Sequence, residues 1–152
     1  MKQIKIQDMA PDIVKGIKLQ MPNSAEVYKE NWFEWTASTL TAKFKSSEVV
    51  GGTLKAWKHT ATFDEIETHV DIEMFYFISG TALMLFADIK NGKPDMDSVQ
   101  IVRIQPGTQI IIPEGKAHFV AVAQDDKPLY AVVVAPKMDA PRMTLPEMVV
   151  GI

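Results

Sequence analysis

Short apolar runs separated by turn-forming residues recur along most of the chain, and they constrain its fold more than any other feature. Each run is rich in aromatic or β-branched residues and stops near glycine, proline, asparagine or aspartate. Runs of this length and composition favour β-strands over helices. The predicted strands are residues 53–59, 66–69, 74–79, 81–89, 99–104, 108–112, 118–123 and 129–135. So many short strands at close spacing predict an all-β sandwich or barrel.

The segments between and beyond these strands carry their own signals. Only residues 24–32 look helical, with a possible cap at their start. Asn91-Gly92 is a strong turn signal, but we expect the loop to continue through residues 93–97. Prolines at positions 141 and 146 rule out a long helix near the C-terminus and predict an arm that lies across the body.

No linker, repeat or low-complexity segment divides the chain. We therefore expect a single domain over residues 1–152, with an N-terminal extension of about residues 1–50 and a proline-spaced tail over 136–152. The 152 residues carry 16 basic and 19 acidic side chains, for a formal net charge of −3. Without a dense basic run we expect no nucleic-acid partner. No apolar stretch approaches the ~20 residues of a membrane helix, and no secretory signal is evident, so a cytoplasmic location is expected.

The chain has no cysteine and only three histidines, so thiolate sites are excluded. Glu67 and His69 share one face of a strand, because residues two apart point the same way. A tight turn after His69 would bring Glu73 back beside it, and the turn before His118 presents that residue near a strand start. Inside a barrel these side chains can converge as two imidazoles with one or two carboxylates, a set that suits Zn, Mn, Fe, Ni or Co.

The two segments resemble the paired motifs of the cupins. The first cupin motif, G-x5-H-x-H-x3,4-E-x6-G, is matched here by Ala61-x5-Glu67-x-His69-x3-Glu73-x6-Gly80. The second, G-x5-P-x-G-x2-H-x3-N, is matched by Gly107-x5-Pro113-x-Gly115-x2-His118-x3-Val122. The resemblance implies a cupin-type β-barrel (a double-stranded β-helix, or jelly roll). It also implies one divalent transition metal (Zn, Mn, Fe or Ni) held by His69, Glu73 and His118.

Glu67 stands where the family has its first histidine, so it is a further ligand, a general base beside the metal, or the mark of a degenerate site. Within the cupins, residues 65–122 are most similar to the ureidoglycolate lyases, through Glu65-Ile66-Glu67-Thr68-His69 and the Lys93-Pro94-Asp95 segment. The apolar Phe119 departs from the paired histidines of that family. The resemblance implies a lyase acting on a small oxygen-rich acid, with Glu67 as the catalytic base.

Other functions remain open on the same residues. A cupin dioxygenase or isomerase would use the same ligands, and a non-catalytic cupin would only bind a small ligand. Arg103 and Lys116 are candidates for holding a substrate carboxylate. The tryptophans at positions 32, 35 and 57 are expected in core or interface packing, and His59 at the surface. An apolar tail on an acidic all-β domain suggests a homodimer.

Overall fold

A computed structural model describes residues 1–152 and contains fifteen β-strands and no helix. The all-β prediction is therefore confirmed. None of its elements is a helix of the length and apolar character needed to cross a membrane. The strands are β1 (Lys2–Ile4), β2 (Gln7–Asp8), β3 (Lys18–Gln20), β4 (Val27–Lys29), β5 (Glu34–Thr36), β6 (Val49–Ala56), β7 (Thr62–Glu67), β8 (Glu73–Ser79), β9 (Ala82–Lys90), β10 (Lys93–Ile104), β11 (Gln109–Ile112), β12 (Ala117–His118), β13 (Val122–Ala123), β14 (Leu129–Pro136) and β15 (Arg142–Gly151).

Two large sheets form the jelly-roll body. The eight-stranded sheet has the order β1-β15-β7-β12-β9-β10-β2, with β13 also paired to β9. The five-stranded sheet has the order β3-β11-β8-β14-β6. Phe77 and Phe86, which are fully buried on β8 and β9, belong to one core cluster that both sheets line. The two sheets are thus held face to face by apolar side chains, and burying each large one contributes roughly 1.5–3 kcal/mol.

Strand β9 is buried on both faces, which explains its continuous apolar run. Ala82, Met84 and Phe86 pack in the core between the sheets, while Leu83 and Leu85 alternate with them and pack in a second cluster. Successive side chains of a strand point to opposite faces, so both sets can be buried only where a strand is covered on each side. This strand runs beside β12, which carries His118.

The helix predicted over residues 24–32 is wrong. The segment instead enters a two-stranded hairpin in which β4 pairs antiparallel with β5, with Tyr28 opposite Trp35. Valine and aromatic residues favour extended backbone, and the segment lacks the apolar period of 3.6 residues that would seat a helix on the core. The capping residues at its start are therefore not followed by the amphipathic pattern that a helix on the core requires.

The long loop predicted over residues 93–97 is also wrong. Lys90 pairs directly with Lys93, so Asn91 and Gly92 alone form the turn, with φ of 52° and 72°. Both residues tolerate the left-handed conformation that two-residue hairpins require. The pairing of β10 with β9 is interrupted further on, by a register shift between Asp95 and Gln100.

The proline-spaced segment over residues 136–152 contributes a strand to the larger sheet. Its strand β15 pairs antiparallel with β7 and parallel with β1. The register of β15 against β7 shifts between Thr144 and Val149, and Pro146 lies within that shift. A proline has no N–H for the ladder, so an irregularity is where a sheet tolerates it.

Candidate metal centre

Both predicted motifs lie at the ends of strands that meet in one place. Glu67 ends β7 and is directly opposite His118 on β12. His69 follows two residues later, and Glu73 begins β8 in the other sheet. The Gly115 N–H donates a 3.0 Å hydrogen bond to the His69 carbonyl, which ties the first motif to the second. Gly115 has φ of +74°, a conformation that costs glycine little.

Asp71 shapes the turn between His69 and Glu73. Its side chain accepts hydrogen bonds from the backbone N–H groups of Ile72, Lys45 and Ser46. Burial works to raise the pKa of this carboxyl, but these donors outweigh it and hold the pKa below its usual value. The turn is thereby fixed to the segment that leads into β6. Asp71 is not among the residues predicted from the sequence, because a short acidic residue in a tight turn is its only signal there.

The four predicted side chains converge on one point. Glu73 Oε2 lies 3.1 Å from His118 Nε2 and 3.5 Å from His69 Nε2. Glu67 Oε1 lies 3.8 Å from His69 Nε2 and 4.0 Å from His118 Nε2. Ligands about 2.0–2.2 Å from one metal ion are roughly 3–3.6 Å apart. The distances involving Glu73 fall in this range, whereas Glu67 lies slightly outside it.

Backbone carbonyls orient both imidazoles. His118 Nδ1 lies 3.0 Å from the Lys116 carbonyl oxygen, and His69 Nδ1 lies 3.4 Å from that of Asp139. A carbonyl can only accept, so Nδ1 donates and Nε2 faces the cluster. Ligating histidines in metalloproteins are held in this way by a second hydrogen bond from the ring. Both rings are therefore oriented as ligands through Nε2.

The polar atoms of the cluster are incompletely satisfied by the protein itself. His69 Nε2 is buried and has no hydrogen-bond partner, and its side chain is only 8% exposed. An orphaned buried nitrogen costs free energy, and a cation held by it and its neighbours would satisfy it. Glu67, His69 and His118 can each present a ligand atom within 4.8 Å of the others, and Glu73 Oε2 lies 3.5 Å or less from both Nε2 atoms. The residues present therefore fit a metal ion.

The charges in the cluster depend on one another. The interaction with the Glu73 carboxylate raises the pKa of His69 above its usual value, against the opposing effect of burial. Burial works to raise the pKa of Glu73, but the His118 and His69 imidazoles beside its carboxylate outweigh that effect and lower the pKa to about 2. Glu73 is thus a carboxylate at every ordinary pH, and a carboxylate is the form that binds a metal.

A cavity of about 160 Å³ adjoins the cluster. Glu67, Glu73 and His118 supply its polar wall, and the rest of its lining is apolar: Leu54, Phe75, Met84, Phe119, Val120 and Val133. Leu54 and Val133 come from β6 and β14, far from the motifs in sequence, and no motif could have indicated them. No lysine or arginine lines this cavity.

The remaining candidates lie elsewhere. Arg103 pairs with Asp8, and Lys116 pairs with Asp88 at 2.7 Å, so neither cation faces the cavity. His59 is exposed, as expected. Trp32, Trp35 and Trp57 are 83%, 63% and 65% exposed, which excludes them from the core.

A jelly roll of two sheets with a histidine–carboxylate cluster at the strand ends defines a class of barrel proteins with an internal site. The family model described as Cupin matches residues 65–150, which is more than half of the chain. The chain belongs to the cupin family. The resemblance read from its two motifs is thereby confirmed at the level of the superfamily. A search of curated proteins finds no match.

Two solved structures with TM-scores above 0.5 show the same fold at low sequence identity. The epimerase RmlC from Legionella pneumophila has 13% identity and a TM-score of 0.54, and the alignment covers 92% of this chain and 76% of that one. A dTDP sugar isomerase from Desulfovibrio desulfuricans has 13% identity and a TM-score of 0.56, with coverage of 88% and 85%. Oxalate decarboxylase from Bacillus subtilis has 18% identity and a TM-score of 0.45; the alignment covers 64% of this chain but only 24% of that protein.

Proposed function

We propose that the chain is a metal-dependent cupin enzyme that acts on a small oxygen-rich acid, with a lyase reaction of the ureidoglycolate type as its specific form. The observation that carries the proposal is the convergence of two carboxylates with two imidazole Nε2 atoms, one of which, on His69, is buried without a hydrogen-bond partner. His69, Glu73 and His118 would hold the metal. When bound, the metal would supply a Lewis acid that stabilises negative charge on substrate oxygens.

The electrostatics of the cavity support a cation in the cluster. Glu67 and Glu73 both face the cavity, and no basic side chain lines it. An acidic substrate would be repelled by these carboxylates unless a positive charge lay between them and the substrate. The apolar walls exclude water and strengthen that attraction. The small volume, about 160 Å³, favours a short substrate.

Glu67 is the residue that we assign to proton transfer. Its side chain is 14% exposed and its Oε1 lies 3.8 Å from His69 Nε2, so it faces the cluster without contacting either imidazole closely. In a ureidoglycolate-type reaction its carboxylate takes the hydroxyl proton as the carbonyl forms. The carbon–nitrogen bond breaks, its electron pair leaves with the urea nitrogen, and the Glu67 proton passes to that nitrogen.

The first test is metal content by elemental analysis of protein purified without a histidine tag, for the wild type and His118→Ala. We expect about one transition metal per chain in the wild type and none in the variant. The loaded protein is then given ureidoglycolate, with urea release as the readout, and a panel of small 2-hydroxy acids, with consumption of each acid as the readout. If the metal-loaded protein releases no urea, the specific lyase reaction is wrong. If a chelator does not change the activity, the metal-dependent mechanism is wrong.

Glu67→Gln separates the two roles of that residue, because glutamine keeps the shape and removes the basicity. A base mutant keeps its metal and loses turnover, by roughly 10²–10⁴-fold. Loss of metal together with turnover would instead make Glu67 a ligand. Glu48→Gln makes the same substitution at an exposed residue outside the cavity, so it is the matched control and is expected to alter neither quantity.

A non-catalytic binding protein is the second candidate. Six of the nine residues that line the cavity are apolar, and such walls suit a ligand that is held without reaction. A chain that binds no metal after reconstitution, yet binds small apolar acids in a thermal-shift screen, would favour this function over the enzyme.

A further inference from the structure

The hairpin of β4 and β5 projects from the body as an aromatic arm, defined here as residues 26–36. Trp32 is 83% exposed, Trp35 63% and Tyr28 56%. The two strands pair with each other and with no other strand. An isolated two-stranded hairpin is at best marginally stable in water, and exposed clusters of large apolar side chains mark interaction sites.

The base of the arm is fixed to the body. Gln20, which ends β3 and is 5% exposed, accepts hydrogen bonds through Oε1 from Ser38 and from the backbone N–H and hydroxyl of Thr39. These hydrogen bonds join the chain just after the arm, at Ser38 and Thr39, to the chain before it, at Gln20. The arm is therefore presented at a defined place with its aromatic side chains uncovered.

A second unpartnered surface lies at the edge of the five-stranded sheet. An apolar groove of about 410 Å³ runs beside β6, with Trp57, Phe63, Phe119 and Val120 among its lining residues. No residue of the arm lines it. Strand β6 is the last strand of its sheet, and exposed edges of this kind are places where other chains pair.

The arm and the groove have complementary charge. The arm carries Glu26, Glu30 and Glu34 against the single Lys29. Lys29 pairs with Glu34, which leaves the carboxylates of Glu26 and Glu30 without an ion pair in the chain. The groove is flanked by Lys55 and Lys58 and has no acidic residue in its lining. Lys58 pairs with Asp126, whereas Lys55 makes no ion pair within the chain and lies over the Trp57 and Tyr130 rings.

We propose that the aromatic arm of one copy of the chain docks in the apolar groove of a second copy, and that the second copy returns the same contact. The arm and the groove lie on the same chain, so a two-fold axis between two copies forms both arm–groove contacts at once, as in an isologous dimer. Tryptophan and tyrosine are the side chains that most often dominate interfaces. The groove shares Leu54, Phe119 and Val120 with the metal cavity, so the partner's arm covers the outer side of that wall.

The outer face of the five-stranded sheet is the competing surface. Tyr76, Ile78 and Tyr130 there are each at least 40% exposed. These three residues lie on the sheet itself and have no carboxylate that would complement the lysines of the groove. A variant on this face therefore serves as the matched control for variants in the arm and the groove.

The test is sedimentation velocity of the full chain across a range of micromolar concentrations. We expect the wild type to be a dimer, and the arm variant Trp32→Ser/Trp35→Ser and the groove variant Trp57→Glu to raise the dimer Kd by at least about 30-fold. Ile78→Ser is expected to remain a dimer. Far-UV circular dichroism and thermal melts confirm that each variant folds, since every substituted residue is exposed.

Mixing the two variants tests reciprocity. The arm variant keeps its groove and the groove variant keeps its arm, so a mixture regains one of the two contacts and forms a heterodimer where neither variant alone dimerises. A monomeric wild type overturns the proposal. So does a dimer that Ile78→Ser alone dissociates, or one that survives both the arm and the groove substitutions.

Discussion

The protonation of His69 follows from its place between two carboxylates. Glu73 raises the pKa of His69 above the usual value of about 6.5. A metal binds the neutral imidazole, so a metal ion must displace this proton when it enters the cluster. Proton uptake by His69 and metal binding therefore compete.

Metal affinity is expected to fall as the pH is lowered through the raised pKa of His69. Below that pKa the apparent Kd should rise by roughly tenfold per pH unit for one displaced proton. Calorimetric titration from about pH 6 to about pH 8, in two buffers of different ionisation enthalpy, measures both the affinity and the number of protons released. An affinity that stays constant over this range would contradict the assignment of His69 as a ligand.

The polar half of the site could be predicted from the sequence, and the apolar half could not. Glu67, His69, Glu73 and His118 lie in two motifs whose spacing places them at neighbouring strand ends. These four side chains come close together because of local geometry and one strand pairing, in which Glu67 lies opposite His118. Leu54, which lines the cavity, comes from β6, and its position depends on how two sheets pack. Packing of that kind leaves no local signal.

At the scale of elements, Gly80 is a point where the backbone leaves no room for a side chain. It has φ of +73°, and an added Cβ would lie 2.5 Å from the Pro128 carbonyl oxygen. Gly80→Ala is expected to lower the free energy of unfolding by at least about 1–3 kcal/mol from the backbone conformation alone, with the clash against Pro128 adding to it. Urea denaturation measures the loss.

Gly92→Ala is the matched control for Gly80→Ala. Gly92 has nearly the same φ, +72°, but no atom lies within 4 Å of the place that an added Cβ would occupy. The free energy of unfolding that Gly92→Ala loses should therefore come only from the strained backbone conformation. Equal losses at the two glycines would show that the contact with Pro128 does not constrain Gly80.

Gln20 is expected to hold the base of the aromatic arm. Gln20→Ala leaves Ser38 and Thr39 without their acceptor and should lower the free energy of unfolding by about 1–3 kcal/mol. Hydrogen exchange at the Thr39 amide should speed up. Gln3, which is exposed, provides a control that should stay within about 0.5 kcal/mol. Unchanged exchange at Thr39 would contradict this role.

Elements with strong alternation or strong turn residues were predictable, and those defined only by pairing were not. The core strands β8, β9, β11 and β14 nearly coincide with apolar runs in the sequence. The hairpin of β4 and β5 lacks a buried face, so its apolar residues follow no period, and a local capping signal suggested a helix. The segment 93–97 reads as a loop because its residues favour turns, yet pairing with β9 extends it.

At the scale of the molecule, the cluster joins the two sheets. Glu67 and His118 belong to the eight-stranded sheet, whereas Glu73 belongs to the five-stranded sheet. A metal held between them would oppose separation of the sheets. Ligands that bind only the native state stabilise it by mass action, by about 2.7 kcal/mol at a hundredfold excess over Kd.

Metal loading should therefore raise the melting temperature by roughly 5–10 °C at that excess. Differential scanning calorimetry of loaded and chelator-treated protein measures the shift. His118→Ala is expected to remove the shift, because it removes a ligand from one of the two sheets. A shift of the same size in that variant would place the stabilising metal outside the cluster.

The pairing of β1 with β15 also bears on how fast the chain folds. Lys2 lies opposite Val149, and β2 pairs with β10 in the same sheet. Contacts between such distant parts of a chain require closure of large loops before they stabilise anything, which makes folding slow. We expect refolding over milliseconds to seconds in stopped-flow dilution from urea, with β1 docking late. Until it docks, the Val149 edge of the larger sheet stays open to other chains, so the refolding yield should fall as protein concentration rises.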